Sequence, residues 1–505
     1  MKKDIKRIFI ALSFSMLLIH SNAQNPVRIM DSVFIWQADN HLLMGNLLVA
    51  EKGEIVFKKS YGFQNVEQAI PNTDSSFFAL ASIAKVFTST AILQLKEKGL
   101  LKLDEQFIHY FPDFPYPDIT IRHLLTHTSG LPEYELFVSL VKVTPNKIFT
   151  NADIIPALNV WSKGLYFKPG SGWRYSSMNF CLLVLLIEKL SRLTVQQYFE
   201  TYIFQPSGMR QSYIDNLMIT RPTKYRTRNY ENKPFSTDLI NVDSVPAEHT
   251  MIYNYGGFAG QGSLTCTAND LLLFDRAFFG GKLLSSASVR EALTPAVLNN
   301  GKKATSIAFP GYEESYYGLG WFIARNQSLG KIVYHPGGRP GVGTMYVHNV
   351  TKNQVIILLE NMAATEASAS SANALAILNY RKPIVQKLSL ASTYAAASYK
   401  NGPEIASSLL NHIKKDTLHY NLNSDDWLDR AKDFFGAGQK ELAIEMLKTG
   451  VEAFPNESII SEAYGDVLSM LGKKQEAIAM YQKSLTQNPK NETAKHKLDV
   501  LKAGQ

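Results

Sequence analysis

Cysteine is nearly missing: 505 residues hold two, Cys181 and Cys266. Two thiols cannot build the bridge framework that staples small secreted folds, so stability has to come from packed cores, and two buried thiols are expected rather than a disulfide. His, Cys, Asp and Glu gather nowhere at metal-ligand spacing. His123 and His127 stand four apart but lack the Glu of a zinc-protease helix, so neither a metal nor an organic cofactor is expected. Dense Lys/Arg clusters are also missing. Of the formal net charge of +8, residues 1–23 carry +3 (Lys2, Lys3, Lys6 and Arg7 against Asp4), and the remaining +5 is dispersed, which argues against nucleic-acid binding. One apolar run is conspicuous, Ile8 to Ile19, and it is short for a membrane span. With the basic residues before it and Ser21-Asn22-Ala23 after it, residues 1–23 read as a cleaved secretory leader. The mature chain then starts near Gln24, periplasmic or secreted, with no integral span after cleavage. No Cys follows the run, so lipid attachment there is not expected.

What the chain does contain is apolar mass, 45% hydrophobic and 11% aromatic residues, enough for two or three sizeable cores. Within it, Phe78-Ala79-Leu80-Ala81-Ser82-Ile83-Ala84-Lys85-Val86-Phe87 carries one hydroxyl and, three residues later, one amine. Ile83, Val86, Phe87, Ile92, Leu93 and Leu95 recur at helical spacing, so Ser82 and Lys85 share a helix face one turn apart and the amine can reach the hydroxyl. A helix N-terminus adds free N–H groups and a positive dipole end, which favour an oxyanion. Ser82 is a candidate nucleophile for acyl transfer. Ser-x-x-Lys also occurs at Ser139/Lys142 and Ser328/Lys331, and a Ser cap with a Lys one turn on is common. The motif therefore needs support from the rest of the chain.

In order, residues 25–44 are expected helical, and Asn46–Val49 with Ile55–Lys58 form a hairpin. The Ser82 helix ends near Gly99, and the Pro-rich 111–117 segment is irregular. A second helix carries Ile121 to Pro132. Turn-forming Pro169-Gly170-Ser171-Gly172 delivers Tyr175 and Ser177 to the start of an apolar helix over 178–191, where a Tyr can face a cleft. Residues 207–255 are mostly loop, and Ser263–Thr267 leads into a helix from Asn269. Residues 317–323 and 331–334 pair as strands and deliver His335-Pro336-Gly337-Gly338 at a strand end, where glycine lets backbone approach a ligand. Thr344–His348 and Val355–Leu359 continue an antiparallel sheet, covered by a helix over 363–378. Residues 386–420 are a less patterned connector.

After it a period appears. Trp427, Ala431, Gly438, Ala443 and Pro455 are matched 34 residues later by Ser461, Gly465, Gly472, Ala477 and Pro489. Small residues where two antiparallel helices pack closely, with Pro after the second, are what tetratricopeptide helix pairs require. Residues 421–505 are read as such a repeat domain, all-α, capped by a helix over 492–503, binding a protein or peptide and separable by a cut near 385.

Ser82-x-x-Lys85, His123-Leu124-Leu125-Thr126-His127-Thr128-Ser129-Gly130-Leu131-Pro132, Pro169-Gly170 leading to Tyr175-Ser176-Ser177, Tyr317-Gly318-Leu319-Gly320-Trp321 and His335-Pro336-Gly337-Gly338 together resemble the beta-lactamase-related serine hydrolases. That group spans class C beta-lactamases, penicillin-binding DD-peptidases, D-aminopeptidases and esterases. The resemblance covers about residues 30–380, and the hydrolase domain is placed at 24–385. It implies an α/β (α+β) fold, an antiparallel sheet flanked by helices plus a helical subdomain. It makes Ser82 the acylated nucleophile, Lys85 and Tyr175 the proton-transfer pair, and the N–H groups of Ser82 and Gly338 the oxyanion hole. Ser177, His335, Gly337 and Gly338 become substrate-binding residues. Two departures bear on substrate. Ser177 stands where the family has Asn, and His335 stands where beta-lactamases and DD-peptidases commonly have Lys, so a permanent cation becomes a mostly neutral imidazole. The expectation is an acyl-enzyme hydrolase of an ester or a D-amino-acid amide or peptide, small-molecule or peptidoglycan-derived. The rivals are a DD-peptidase or weak beta-lactamase, and a catalytically silent binding protein.

Overall fold

The computed structural model describes residues 25–218, 225–233, 235–236, 238–362, 367–384, 387–417 and 419–503. The leader assigned to residues 1–23 and the mature start at Gln24 lie outside them. No helix among the described residues is long and apolar enough to cross a membrane.

The chain divides into two compact units, the first made of residues up to Glu231 together with Ile240–Pro383. It opens with helix α1 (Pro26–Asp39), and strands β1 (Gly45–Glu51) and β2 (Glu54–Tyr61) follow as the expected hairpin. Its two-residue loop, Lys52-Gly53, has φ of 50° and 88°, the twist that suits a tight hairpin. Helices α2 (Ala84–Glu97), α3 (Ser177–Ser191) and α4 (Ala268–Phe279) come next. They are succeeded by β3 (Glu314–Tyr317), β4 (Phe322–Asn326), β5 (Gly330–Arg339), β6 (Val342–Asn349), β7 (Gln354–Glu360) and helix α5 (Ala367–Leu378). The seven strands form one antiparallel sheet in the order β3-β4-β5-β6-β7-β1-β2.

Both sheet faces are buried, and the alternation of side chains separates two cores. Leu48 and Ala50 of β1 with Val355, Ile357 and Leu359 of β7 join the core that holds α2, α3 and α4. Leu47 and Val49 with Ile356 and Leu358 join Met30 and Phe34 of α1 and Leu375 of α5. Cys181 and Cys266 are buried, unbridged thiols.

Three local expectations are corrected. The helix expected to carry Ile121 to Pro132 is one short turn, Ile121–Leu125, because His127 at φ 56° and Gly130 at φ 79° take the chain out of helical space. Residues 317–323 are not one strand, since Gly320 at φ 78° turns the chain between β3 and β4. His335 does not end a strand, because β5 runs on through Arg339. Pairing with β4 stops at Tyr334 while pairing with β6 continues to Arg339. Residues 335–339 therefore have one edge that no strand covers, the place where Pro336 is tolerated.

The second unit holds Ile384–Gln505 and one segment from mid-chain, Asn232–Leu239. The stretch read as a connector is folded into α6 (Leu390–Asn401) and α7 (Pro403–Ile413). Then come α8 (Ser424–Gly436), α9 (Lys440–Ala453), α10 (Ser458–Met470), α11 (Lys474–Gln487) and α12 (Glu492–Ala503). Both ends of α10 and α11 fall 34 residues after those of α8 and α9. Small residues sit where rings press: a Cβ on Gly465 would lie 2.7 Å from the Tyr481 ring, and one on Gly450 the same distance from Trp427. Phe235 stacks on Phe434 at 3.9 Å. A cut near 385 therefore parts the 232–239 segment from the ring it stacks on.

Candidate active site

The Ser82 turn is held by its flanks. Leu80 N–H donates to Leu264 O at 2.7 Å and Leu80 O accepts from Thr344 Oγ1 at 2.9 Å. Between that clamp and the helix, Ala81 adopts φ 47°, left-handed space that costs a non-glycine residue roughly 1–2 kcal/mol. A short 3-10 turn over Ala81–Ile83 then passes into α2. Half-buried Ser82 lines a cavity of about 950 Å³ with Tyr175, Ser177, Glu133 and Gly338 among its walls.

Lys85, 0% exposed, points its Nζ at three oxygens: Ser82 Oγ at 3.1 Å, Ser177 Oγ at 3.5 Å and Gln261 O at 2.7 Å. The Gln261 carbonyl can only accept. A neutral amine has two hydrogens and one lone pair, so it satisfies all three contacts by donating to Gln261 and Ser177 while accepting from Ser82. Burial disfavours the cation and lowers the Lys85 pKa to about 8, with nearby Glu133 pulling the other way. Tyr175 has its hydroxyl pushed well above the usual phenol range by burial, opposed by a hydrogen bond with Ser82. Lys85 Nζ lies 4.8 Å from the centroid of its ring.

The His127 motif is scaffold for this wall. His127, itself fully buried, accepts at Nδ1 from Ser176 N–H at 3.2 Å and faces Asn179 Nδ2 at 3.0 Å. Ser129 Oγ donates to Asn179 Oδ1 at 2.7 Å, Ser176 Oγ to Pro132 O at 2.7 Å, and the His127 and Tyr175 rings are 4.3 Å apart. These contacts fix Tyr175 and Ser177 at the head of α3.

The four residues expected to bind substrate divide. Ser177 and Gly338 line the cavity, and a Cβ on Gly338 would meet nothing within 4 Å. Gly337 is buried: a Cβ there would sit 2.1 Å from Thr344 Oγ1 and 2.3 Å from Leu80 O, so its glycine lets β5 press against the Ser82 turn. His335 is 0% exposed and stands behind the wall, with Tyr317 Oη 3.3 Å from Nε2 and Pro336 O 2.7 Å from Nδ1. Burial, then Lys85, lowers its pKa to about 3, so the imidazole is neutral at every working pH.

The site also holds groups that motif reading passed over. Glu133, next to the His127 motif, accepts from Ser177 N–H in a short hydrogen bond, and burial raises its pKa. Gln261 contributes its backbone carbonyl, and Tyr134 stacks on Tyr255 at 4.8 Å along the cavity wall. Only the polar character of Glu133 directly after Leu131-Pro132 could have drawn attention to it.

Comparison with known proteins agrees with this architecture. The beta-lactamase family matches residues 37–380. Penicillin-binding protein 4* of Bacillus subtilis (strain 168) is 32% identical over 339 residues, 67% of this chain and 72% of that protein. The crystal structure of a penicillin binding protein from Bacillus halodurans superposes with a TM-score of 0.58 at 26% identity, covering 69% of this chain and 98% of that one. D-amino acid amidase from Ochrobactrum anthropi SV3 shares the fold, with a TM-score of 0.55 at 21% identity over 68% of this chain and 97% of that one. The protein belongs to the beta-lactamase family and is a serine hydrolase built on its fold.

Proposed function

We propose that this enzyme is exported and hydrolyses an ester or a D-amino-acid amide or peptide through an acyl-enzyme at Ser82. The observation that carries this is the Lys85 amine, 3.1 Å from Ser82 Oγ with a pKa near 8, beside an open cavity. Ser82 Oγ–H passes its proton to neutral Lys85 as Oγ bonds the scissile carbonyl carbon. The N–H groups of Ser82 and Gly338 take the oxyanion. The tetrahedral intermediate then expels its leaving group, which takes the proton back from the Lys85 ammonium by way of the Tyr175 hydroxyl. Water attacks the acyl carbonyl in the second half, giving a proton to the same base and returning Ser82. Tyr175 serves as relay rather than resting base, since its phenol holds its proton far above neutral pH.

A peptidoglycan-directed DD-peptidase is the second reading, favoured by the match to penicillin-binding proteins. The neutral, enclosed His335 weighs against it, because a leaving-group carboxylate finds no cation there, a loss of about 1.5–3 kcal/mol or roughly 10- to 150-fold. Labelling the purified protein with a fluorophosphonate and with a fluorescent penicillin separates the readings. The expected result is fluorophosphonate labelling, with kcat/KM for p-nitrophenyl acetate at least about tenfold above that for a chromogenic cephalosporin, each corrected for its uncatalysed rate. A higher value for the cephalosporin overturns the ester-leaning reading.

Glu133 offers a pH test. Its charge holds the Lys85 pKa up, so Glu133→Gln lets Lys85 lose its proton more easily. The acid limb of kcat/KM against pH moves to lower pH in the variant. An unmoved limb, or one moved upward, removes Glu133 from the control of Lys85.

The helical unit is proposed as a tetratricopeptide module that binds a protein or peptide. Its support is the 34-residue displacement of α10 and α11 from α8 and α9, with glycines at the close contacts.

A further inference from the structure

The cation that His335 does not supply stands four residues further along the same strand. Arg339 is half-buried, lines the cavity, and directly follows Gly338 on the uncovered edge of β5. Among the described residues its guanidinium has no hydrogen bond or ion pair. Neighbouring Arg226 is different: its Nε lies 2.7 Å from Asp215 Oδ2, and that carboxylate, 2% exposed, also accepts from Thr265 Oγ1 at 3.3 Å. Asp215 is therefore engaged by Arg226, and Asp243, the other carboxylate acting on Arg339, forms no ion pair with it. Burial disfavours the Arg339 cation, and Asp215 and Asp243 offset this only through space, so the donors of a guanidinium that always stays charged are left for a ligand.

Its place on the strand says which part of a substrate it meets. Proton return to the leaving group involves Tyr175, whose ring is 6.4 Å from that of His335, so the leaving group departs toward the His335 end. Gly338 stands beside the scissile carbonyl, and the strand advances about 3.3 Å per residue away from His335. Arg339 therefore faces the acyl portion. We infer that Arg339 forms an anion subsite for the acyl part of the substrate, and that the physiological substrate carries a carboxylate there. A carboxylate matches the planar fork of a guanidinium with two parallel hydrogen bonds, which fixes the acyl chain as well as binding it.

The inference rests on the acyl-enzyme reading, and its test keeps the two apart. The p-nitrophenyl half-esters of adipic and suberic acid are compared with their methyl esters at the far end, which have the same length and no charge. The expected result is a kcat/KM ratio, charged over neutral, of at least ten for one chain length, falling at least tenfold in Arg339→Ala and partly restored in Arg339→Lys. A parental ratio near one, or a ratio unchanged within twofold in Arg339→Ala, overturns the subsite. If neither ester is turned over, the ester-leaning reading of the Ser82 site falls. Calorimetric titration of Ser82→Ala with the mono-anilide of adipic or suberic acid then decides the subsite. Tenfold weaker binding on adding Arg339→Ala supports it, and no binding or no change overturns it.

Discussion

Replacing Ser82 with Ala abolishes fluorophosphonate labelling and lowers kcat/KM on p-nitrophenyl acetate by at least about 10⁴-fold, the scale on which removal of an acylated nucleophile acts. The fold has little reason to respond. Ser82 is half-buried, the substitution removes one oxygen, and the clamp that shapes the turn belongs to Leu80 through Leu264 and Thr344. Lys85 keeps its 2.7 Å contact with Gln261 O. The thermal midpoint of Ser82→Ala should match the parent within about 2 °C, since no buried apolar group is lost and the hydrogen bonds that Ser82 makes with Lys85 and Tyr175 are lost at the cavity wall, where water can replace the hydroxyl. Near-parental turnover by this variant would place the nucleophile elsewhere. Ser139 and Ser328 carry the same Ser-x-x-Lys spacing, but neither lines the cavity.

What the sequence made legible is what local periodicity controls. The β1–β2 hairpin, α2, α3 and the strands around Thr344 and Val355 follow from alternating or helical apolar spacing, and Ser82 with Lys85 follows because three residues span one turn. The misses share one cause, which is that their partners are remote in sequence. Lys85 meets Gln261 across 176 residues through a main-chain carbonyl, which has no residue-type signature. Glu133 acquires its place only when the Ser177 N–H is folded against it, 44 residues away. His335 looked substrate-facing because glycines follow it, whereas Gly337 is small in order to pass Thr344 and Leu80. Arg339 is visible as a charge in the sequence, but its lack of a partner shows only once Arg226 is seen to take Asp215. In the second unit, Phe235 lies 199 residues before Phe434, the ring it stacks on, so composition around 386–420 could not reveal it.

Lys85→Met separates activity from stability. A buried Lys whose folded pKa is about 8 rather than 10.5 holds its proton less well folded than unfolded. Below pH 8 the charged amine therefore weighs against folding, by about 3 kcal/mol for that difference. As pH rises from about 8 toward 10.5 the unfolded chain binds the extra proton, so the parent gains stability across that window. Met fills a similar volume without the charge. It also orphans the Gln261 carbonyl, which costs about 1–3 kcal/mol and offsets part of the gain. Lys85→Met should thus unfold at pH 7 no more readily than the parent, and should lack the parent's rise in stability above pH 8. Its activity should fall by about 10³-fold or more, because Ser82 loses its proton acceptor while the oxyanion hole remains. In the parent, kcat/KM should climb about tenfold per pH unit below 8 and level above it, since only the neutral amine can take the Ser82 proton. A Lys85→Met enzyme within tenfold of parental kcat/KM, or a parental profile flat from pH 6 to 9, would move the base to another group. A variant less active and also markedly less stable would instead make Lys85 a strut for the Gln261 loop, and the flatness of its stability between pH 8 and 10 decides between strut and base.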